Sequence, residues 1–315
     1  MKPLEIFTKT MKFCWLKLAI GAANLVISII TFLILVVLIG SNIGGGGFAV
    51  CVMIWLGLVR VTSFIINKYI GYLIRVGHIA VVVKAMTEGE LPENQLQYGV
   101  DVVKRRFAVA NVFFIIDRLV AGAVRQIQRV VNTIGRLIEN LPGGKQIVSF
   151  INFFVEIAFG SVDDCVLGWV LYREELGAFH GACDGVVLFF QNFKALMLRA
   201  LKTTFIAVGC MLVIVLIPTL IAAGVGDAMA IIITLFVSYY ICHIFKKAFL
   251  DSYIFIAMMT RYMELATQQE PAVDMYGKCE KWSGKFRELV GKKNEEASGA
   301  YAAAPVQNQD QGNFQ

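Results

Sequence analysis

Three carboxylates lie in a long apolar stretch of the sequence, at Glu156, Asp163 and Asp164 within 147–172. A carboxylate at the centre of a bilayer costs at least about 2.5 kcal/mol, so its presence there indicates a function or a strong partner. Glu156 and Asp163 are seven residues apart, which predicts that they share one face of a helix. They are candidate ligands for a small organic cation. The alternative is that they form structural ion pairs, or lie at the interface of a half-inserted helix. The possible pairing partners are Arg60, Arg75 and Arg118.

Two aromatic residues follow the acids on the same predicted helix, and a further acid lies near the C-terminus. Trp169 and Tyr172 could face an alkylammonium group, since aromatic rings attract desolvated cations by about 2 kcal/mol. Asp251 follows two lysines. It is either a functional acid within the membrane or an interfacial residue paired with a lysine.

Four arginines, spaced seven, four and seven residues apart, form a stripe on a predicted amphipathic helix. At about 100° per residue they fall within roughly 20° of one direction. Valines and isoleucines point the opposite way. We predict that this helix lies at anionic lipid headgroups. The alternative is that its basic face packs on acidic loops of the same chain. The stripe consists of Arg118, Arg125, Arg129 and Arg136.

No stretch of the sequence predicts catalysis, a cofactor or a metal. The glycines at 44–47 lack the ending and the preceding strand of a phosphate loop. The seven cysteines include no CxxC pair, and most lie in apolar runs, which is typical of packed thiols. We therefore expect a protein that is not an enzyme, with no cofactor, no metal site and no nucleic-acid partner.

The composition places these residues in a membrane protein. Apolar residues make up 57% of the 315 residues and charged residues 17%, and the mean hydropathy is +0.68. A soluble domain has roughly 45–50% apolar and about 25% charged residues. Four uncharged or nearly uncharged stretches are long enough to cross a bilayer. They cover 18–39, 48–66, 203–223 and 228–245.

The basic flanks of these spans predict their orientation. Lysines and arginines precede the first and third spans and follow the second and fourth, whereas the two connecting turns carry none. Because positive flanks stay in the cytoplasm, both termini are predicted inside, in a multi-pass protein of the cell membrane. The first apolar run is too long for the core of a cleavable signal peptide. Membrane lipids with anionic headgroups are the expected partners.

The two pairs of spans resemble a tandem repeat. Lys68 and Lys247 are 179 residues apart, as are Pro92 and Pro271, and a semi-polar helix precedes each proline. We predict an all-α transmembrane bundle in which two parallel hairpins flank a central amphipathic segment. The segments are a first hairpin with its semi-polar helix (1–92), a central segment (93–179), a second hairpin (180–271), a basic cytoplasmic segment (272–293) and a disordered tail (294–315).

Three collinear stretches resemble the choline transporter-like family. The glycine- and alanine-rich segment 119–129 is similar to the family's helix that runs into an arginine-bearing stretch. The segments 164–172, 181–185 and 190–192 resemble its signature region, and Asp251-Ser252 with Phe255 resembles its C-terminal helix. Arg173 replaces a glycine of the family pattern, and the family's large extracellular loop is missing. The resemblance implies movement of choline-like cations across the membrane.

Two functions remain open at this point. One is transport of a small organic cation bound by the acids and aromatic residues. The other is a non-transporting scaffold or lipid-binding protein that acts through the arginine stripe. The sequence does not predict an oligomeric state.

Overall fold

The computed structural model describes residues 2–40, 47–107, 110–139, 155–156, 158–225 and 228–299, and this part of the chain folds into helices without strands. We number the helices α1 to α13. They are α1 (Pro3–Lys9), α2 (Met11–Leu35), α3 (Gly47–Ile66), α4 (Tyr72–Thr87), α5 (Gln95–Phe107), α6 (Ala110–Glu139), α7 (Val162–Tyr172), α8 (Ala178–Gln191), α9 (Phe193–Val225), α10 (Ala228–Phe245), α11 (Asp251–Ala266), α12 (Val273–Trp282) and α13 (Gly284–Ala297).

Three of the described segments are long and apolar enough to cross a membrane, by length and composition. They are Met11–Leu38, Val50–Thr87 and Phe193–Ile221. Their large apolar side chains point away from the protein, as at Leu33 (57% exposed), Met53 (73%) and Leu220 (68%). An apolar surface of this extent indicates contact with lipid. The fourth predicted span coincides with α10, which packs along α9 but is not among these three segments, so its crossing remains a prediction.

Short π-helical turns connect the apolar helices to the semi-polar helices that follow them. One turn covers Asn67–Gly71 and leads into α4, and another covers Lys246–Leu250 and leads into α11. A third, Val36–Gly40, continues α2. The offset of 179 residues noted in the sequence also separates the first two turns and both ends of α4 and α11. Local structure therefore follows the same order in the two parts of the chain.

The remaining helices form a packed body on one side of the hairpins α2–α3 and α9–α10. We use "helical body" for α1, α4–α8 and α11–α13 with the first turns of α9, because these elements share one buried apolar cluster. Helix α7 packs against both α4 and α11 at Gly168, where an added Cβ would lie 2.5 Å from Met259 Cε. The core therefore draws on four of the five sequence segments.

Four boundaries differ from the expectation. Helix α6 runs unbroken through Asp117 and Arg118, because its inner face is continuously apolar. A turn at residues 160–161 separates Glu156 from α7. Helix α8 ends at Gln191, so the predicted semi-polar helix 183–202 is divided at Asn192. Helix α13 extends to Ala297, beyond the predicted start of a disordered tail at 294.

Helix α13 is held at that end by its own side chain at Glu296. This carboxylate accepts the backbone N–H groups of Phe179 (3.0 Å) and His180 (3.1 Å) at the start of α8. A carboxylate at a helix N-terminus satisfies free donors and complements the helix dipole. The rest of the predicted tail, from residue 300, lies outside the described residues, as do the first glycine turn at 41–46 and the segment 140–154.

Candidate functional site

A polar cavity of about 910 Å³ lies where the hairpins meet the helical body. Its walls come from the body ends of α2, α3 and α10, and from α4, α6, α7 and α11. Apolar side chains such as Ile20, Val59 and Ile244 line the part between the hairpins. The two hairpins approach closely beside it, because an added Cβ on Gly21 would lie 2.7 Å from Ile244 Cγ2. The charged lining residues are Lys17, Arg75, Asp117, Arg118, Arg125, Asp164, Lys247 and Asp251.

Arg75 on α4 is the centre of an ion-pair cluster in this wall. Its Nη2 lies 2.5 Å from Asp163 Oδ2, its Nε contacts Asp164, and its Nη1 lies 3.8 Å from Asp117 Oδ1. The acids come from α6 and from the first turn of α7, where carboxylates complement the helix dipole. Arg75 therefore occupies the position beside Asp163 and Asp164 that the sequence reserved for an organic cation or an arginine.

Burial changes the protonation of this cluster. It raises the pKa of Asp164 to about 6, outweighing the opposing effect of the Arg75 guanidinium. Burial also raises the pKa of Asp117, again against the influence of Arg75. One guanidinium shared by three carboxylates leaves the cluster electron-rich, so the proton on Asp164 is the one that mild acid adds.

Lys17 enters the cavity from α2 and links three helices. Its Nζ donates to Ser252 Oγ (2.9 Å) on α11 and lies 3.3 Å from His78 Nδ1 on α4. His78 Nε2 in turn lies 3.1 Å from Thr10 Oγ1, whose own hydrogen is donated to the Ile6 carbonyl. Because the lysine can only donate, His78 accepts through Nδ1 and donates through Nε2, which is its neutral tautomer.

The two π-helical turns meet through Lys247. Its Nζ donates to Asn67 Oδ1 at 2.6 Å, which joins the body ends of α3 and α10. The neighbouring Lys246 Nζ lies 2.7 Å from Asp251 Oδ1. Asp251 therefore lines the cavity as a lysine-paired acid, which is one of the two alternatives that its sequence position left open.

Helix α6 presents part of the arginine stripe to this cavity. Val120, Val124 and Ile127 are buried against the body, as the amphipathic pattern predicts. Arg118 and Arg125 line the cavity from the opposite face, and Arg129 is exposed further along the same helix. The side chain of Arg136 lies outside the described part of the structure.

The structure does not bring the other predicted site residues to the cavity. Glu156 is exposed and lines a second pocket of about 290 Å³ with Arg125 and Asp163. Trp169 is 2% exposed, and its ring lies in the core, 6.3 Å from the ring of Tyr262. Tyr172 packs on Trp169 without lining either pocket.

The described residues contain no group of three or more histidine, cysteine or acidic side chains that could hold a metal ion. Six of the seven cysteines are buried and all seven are free thiols, whereas Cys210 is exposed on α9. The cavity is therefore defined by its charges rather than by metal ligands.

Sequence reasoning missed several lining residues. Lys17 and Lys247 were interpreted as flanking charges that orient the spans, and Asn67 was not considered. The signal that was available is their position: each lies where an apolar helix ends at a semi-polar one. Basic residues in that position can either flank a span or line an interfacial cavity, and the sequence pattern is the same for both.

Comparison of the chain with family models, with curated proteins and with solved structures finds no match. The resemblance to the choline transporter-like family therefore remains a sequence-based prediction, and the function is argued from the cavity itself.

Proposed function

We propose that the protein is an integral membrane protein that binds an anionic lipid headgroup in the cavity between its hairpins and its helical body. The observation that carries this proposal is the state of the cavity's charges. The acids of the wall contact Arg75 or Lys246. Within the described part of the chain, no acid pairs with Lys17, Arg118, Arg125 or Lys247.

The shape of the cavity favours a lipid over a fully water-soluble anion. Its basic groups lie at the body ends of the hairpins, and its apolar side chains lie between the helices, where acyl chains would continue into the bilayer. Basic groups close to a membrane surface attract anionic headgroups by about 1 kcal/mol each. The arginine stripe extends the same basic surface along α6 to Arg129. This supports the lipid-binding function among the two that the sequence left open.

Retention of lipid by the purified protein tests the proposal. The full chain is reconstituted in phosphatidylcholine nanodiscs with and without phosphatidylglycerol, and native mass spectrometry counts the lipids that stay bound after release from the disc. We expect selective retention of phosphatidylglycerol, weakened by salt because the attraction is electrostatic.

A double variant and a matched control locate the site. Arg118→Gln with Arg125→Gln removes two lining charges, and we expect it to lose the retained lipid. Arg129→Gln removes an exposed charge of the same helix outside the cavity, and we expect it to keep the lipid. Equal retention by both variants, or no preference for phosphatidylglycerol, would contradict the proposal.

Transport of an organic cation stays a second proposal, supported by the presence of Asp164 and Asp251 in the cavity wall. A cation would have to displace Arg75 or Lys246 from these acids, which makes it the less favoured occupant. Uptake of labelled choline into proteoliposomes tests it, with Asp163→Asn plus Asp164→Asn as the inactive variant. Uptake equal to that of protein-free liposomes would exclude choline.

A further inference from the structure

The charges that line the cavity do not cancel. Among the described residues the wall contains five basic and three acidic side chains, which is a formal excess of two positive charges with His78 and His243 neutral. The pairing partners behind the wall, Asp163 and Lys246, add one charge of each sign and leave the excess unchanged. An occupant that restores neutrality therefore carries two negative charges.

The four cations without an acidic partner have hydrogen-bonding capacity to spare. Lys17 donates to a serine hydroxyl and a neutral imidazole, and Lys247 donates to an asparagine amide. Arg125 donates to the Ala121 carbonyl through Nε, which leaves both terminal nitrogens for a ligand. Guanidinium groups bind phosphate oxygens in pairs, and ammonium groups bind them as point charges. The cavity thus offers both kinds of phosphate contact.

We propose that the headgroup bound here is a phosphate monoester of a lipid, for which phosphatidic acid is the simplest representative. This inference rests on the proposed function and narrows it to one class of ligand. A phosphate monoester carries close to two negative charges above its second pKa of about 6, whereas a phosphodiester lipid carries one and phosphatidylcholine has no net charge. Only the monoester matches the charge of the wall.

The acyl chains separate a lipid from free phosphate. The apolar residues of the cavity, including Ile20, Val59 and Ile244, lie beside the hairpin helices, whose outer surfaces are apolar. A soluble phosphate ester would leave this part of the cavity unfilled and would gain nothing from it. Burial of acyl carbons adds to the affinity of the lipid, since each methylene removed from water contributes to binding.

The test measures lipid affinity at pH 7.5 with the full-length protein in phosphatidylcholine nanodiscs. Phosphatidic acid, phosphatidylglycerol, glycerol 3-phosphate and inorganic phosphate are the four probes. We expect phosphatidic acid to bind about tenfold more tightly than phosphatidylglycerol, because the second charge meets an unscreened positive wall. Both soluble phosphates should bind more weakly than phosphatidic acid.

Variants that each remove one lining charge sharpen the test. Arg118→Gln and Lys247→Gln alter exposed side chains, so the packed core is preserved. Each should reduce the preference for phosphatidic acid over phosphatidylglycerol to about threefold or less. The control Lys12→Gln, an exposed lysine of α2 outside the cavity, should leave the preference unchanged.

The possible failures are distinguishable. Equal affinity for phosphatidic acid and phosphatidylglycerol would overturn the monoester inference and leave anionic-lipid binding standing. Equal affinity for phosphatidic acid and glycerol 3-phosphate would overturn the lipid as the source of the phosphate. A protein that prefers no anionic probe over phosphatidylcholine would overturn the inference and the proposed function together.

Discussion

At the scale of single residues, the cavity is governed by which charges are already paired. Asp164 shares Arg75 with two other acids and has a pKa of about 6, against an ordinary value of 3.8. Its carboxylate is thus the group of the wall that gains a proton in mild acid. Protonation would raise the positive excess of the cavity by one.

Retention of an anionic lipid should consequently increase as the pH falls through about 6. Phosphatidylglycerol is the suitable probe, because its diester phosphate does not titrate in this range. We expect its affinity to rise about threefold between pH 7.5 and pH 5. Asp164→Asn should bind tightly at both pH values and abolish the dependence. A wild-type affinity that stays constant over this range would contradict the assignment of the proton to Asp164.

Gly177 is a second residue whose role can be tested, at the junction of α13 and α8. A Cβ at this position would lie 2.2 Å from Glu296 Oε2, so Gly177→Ala must displace the carboxylate that caps α8. We expect a loss of about 1–2 kcal/mol in the free energy of unfolding. Thermal unfolding in detergent, followed by tryptophan fluorescence, measures it. Gly277→Ala is the control, since nothing lies within 4 Å of its Cβ. Matching midpoints for the two variants would show that Glu296 is dispensable.

At the scale of elements, the helical body depends on close helix crossings. Helices α4 and α5 touch backbone to backbone: a Cβ on Gly99 would lie 3.0 Å from Gly77 Cα and 3.2 Å from its carbonyl oxygen. Backbone atoms cannot rotate away as a side chain can. The two helices must therefore separate to admit even a methyl group, and α4 carries both Arg75 and His78.

We expect Gly99→Ala to destabilise the body by about 1–3 kcal/mol, despite a gain in helix propensity of about 1 kcal/mol. Hydrogen–deuterium exchange should show faster amide exchange in α4 and α5. Gly291→Ala on α13, which meets nothing within 4 Å, should leave exchange in these helices unchanged. Normal protection of α4 and α5 in the Gly99 variant would argue against a crossing this close.

The sequence was informative about elements with a strong repeating pattern. Apolar stretches of sufficient length predicted α2, α3, α9 and α10, and the arginine stripe predicted the buried face of α6. The boundaries at 160–161 and 192 were missed because a short turn changes neither hydropathy nor periodicity. The tail boundary was missed because the contact that extends α13 joins Glu296 to residues more than a hundred positions away.

The candidate site was only partly predictable, for a related reason. The pairing of Asp163 and Asp164 with Arg75 was one of the alternatives, and spacing along one helix could not decide it. Lys17 and Lys247 acquire their place only when the hairpins and α11 pack together. Trp169 was a plausible cation ligand by type, but its burial depends on α11, which supplies Tyr262.

At the scale of the whole molecule, the arrangement predicts which parts of the chain reach each side of the membrane. The helical body and both hairpin ends that contact it lie together, so the turns at 41–46 and 226–227 are expected on the opposite side. Single cysteines at Gly45 and Asp227 should react with an impermeant maleimide from outside the cell. A cysteine at the exposed Lys278 of α12 should react only after permeabilisation.

The native thiols favour this experiment. Cys210→Ser removes the exposed cysteine among the described residues, and the buried ones should react slowly. Labelling of Asp227→Cys from the same side as Lys278→Cys would show that α10 does not cross. That result would leave the three crossings that length and composition support.

The bond between Lys17 and Ser252 has a consequence for biosynthesis. Its two ends are 235 residues apart, and at about 5–20 residues per second a ribosome needs roughly 10 to 50 seconds to travel between them. During that interval the first hairpin is already synthesised while its ammonium group has no serine to bind. Whatever inserts the nascent chain must therefore shelter an unsatisfied lysine near the headgroups until the last third of the polypeptide emerges.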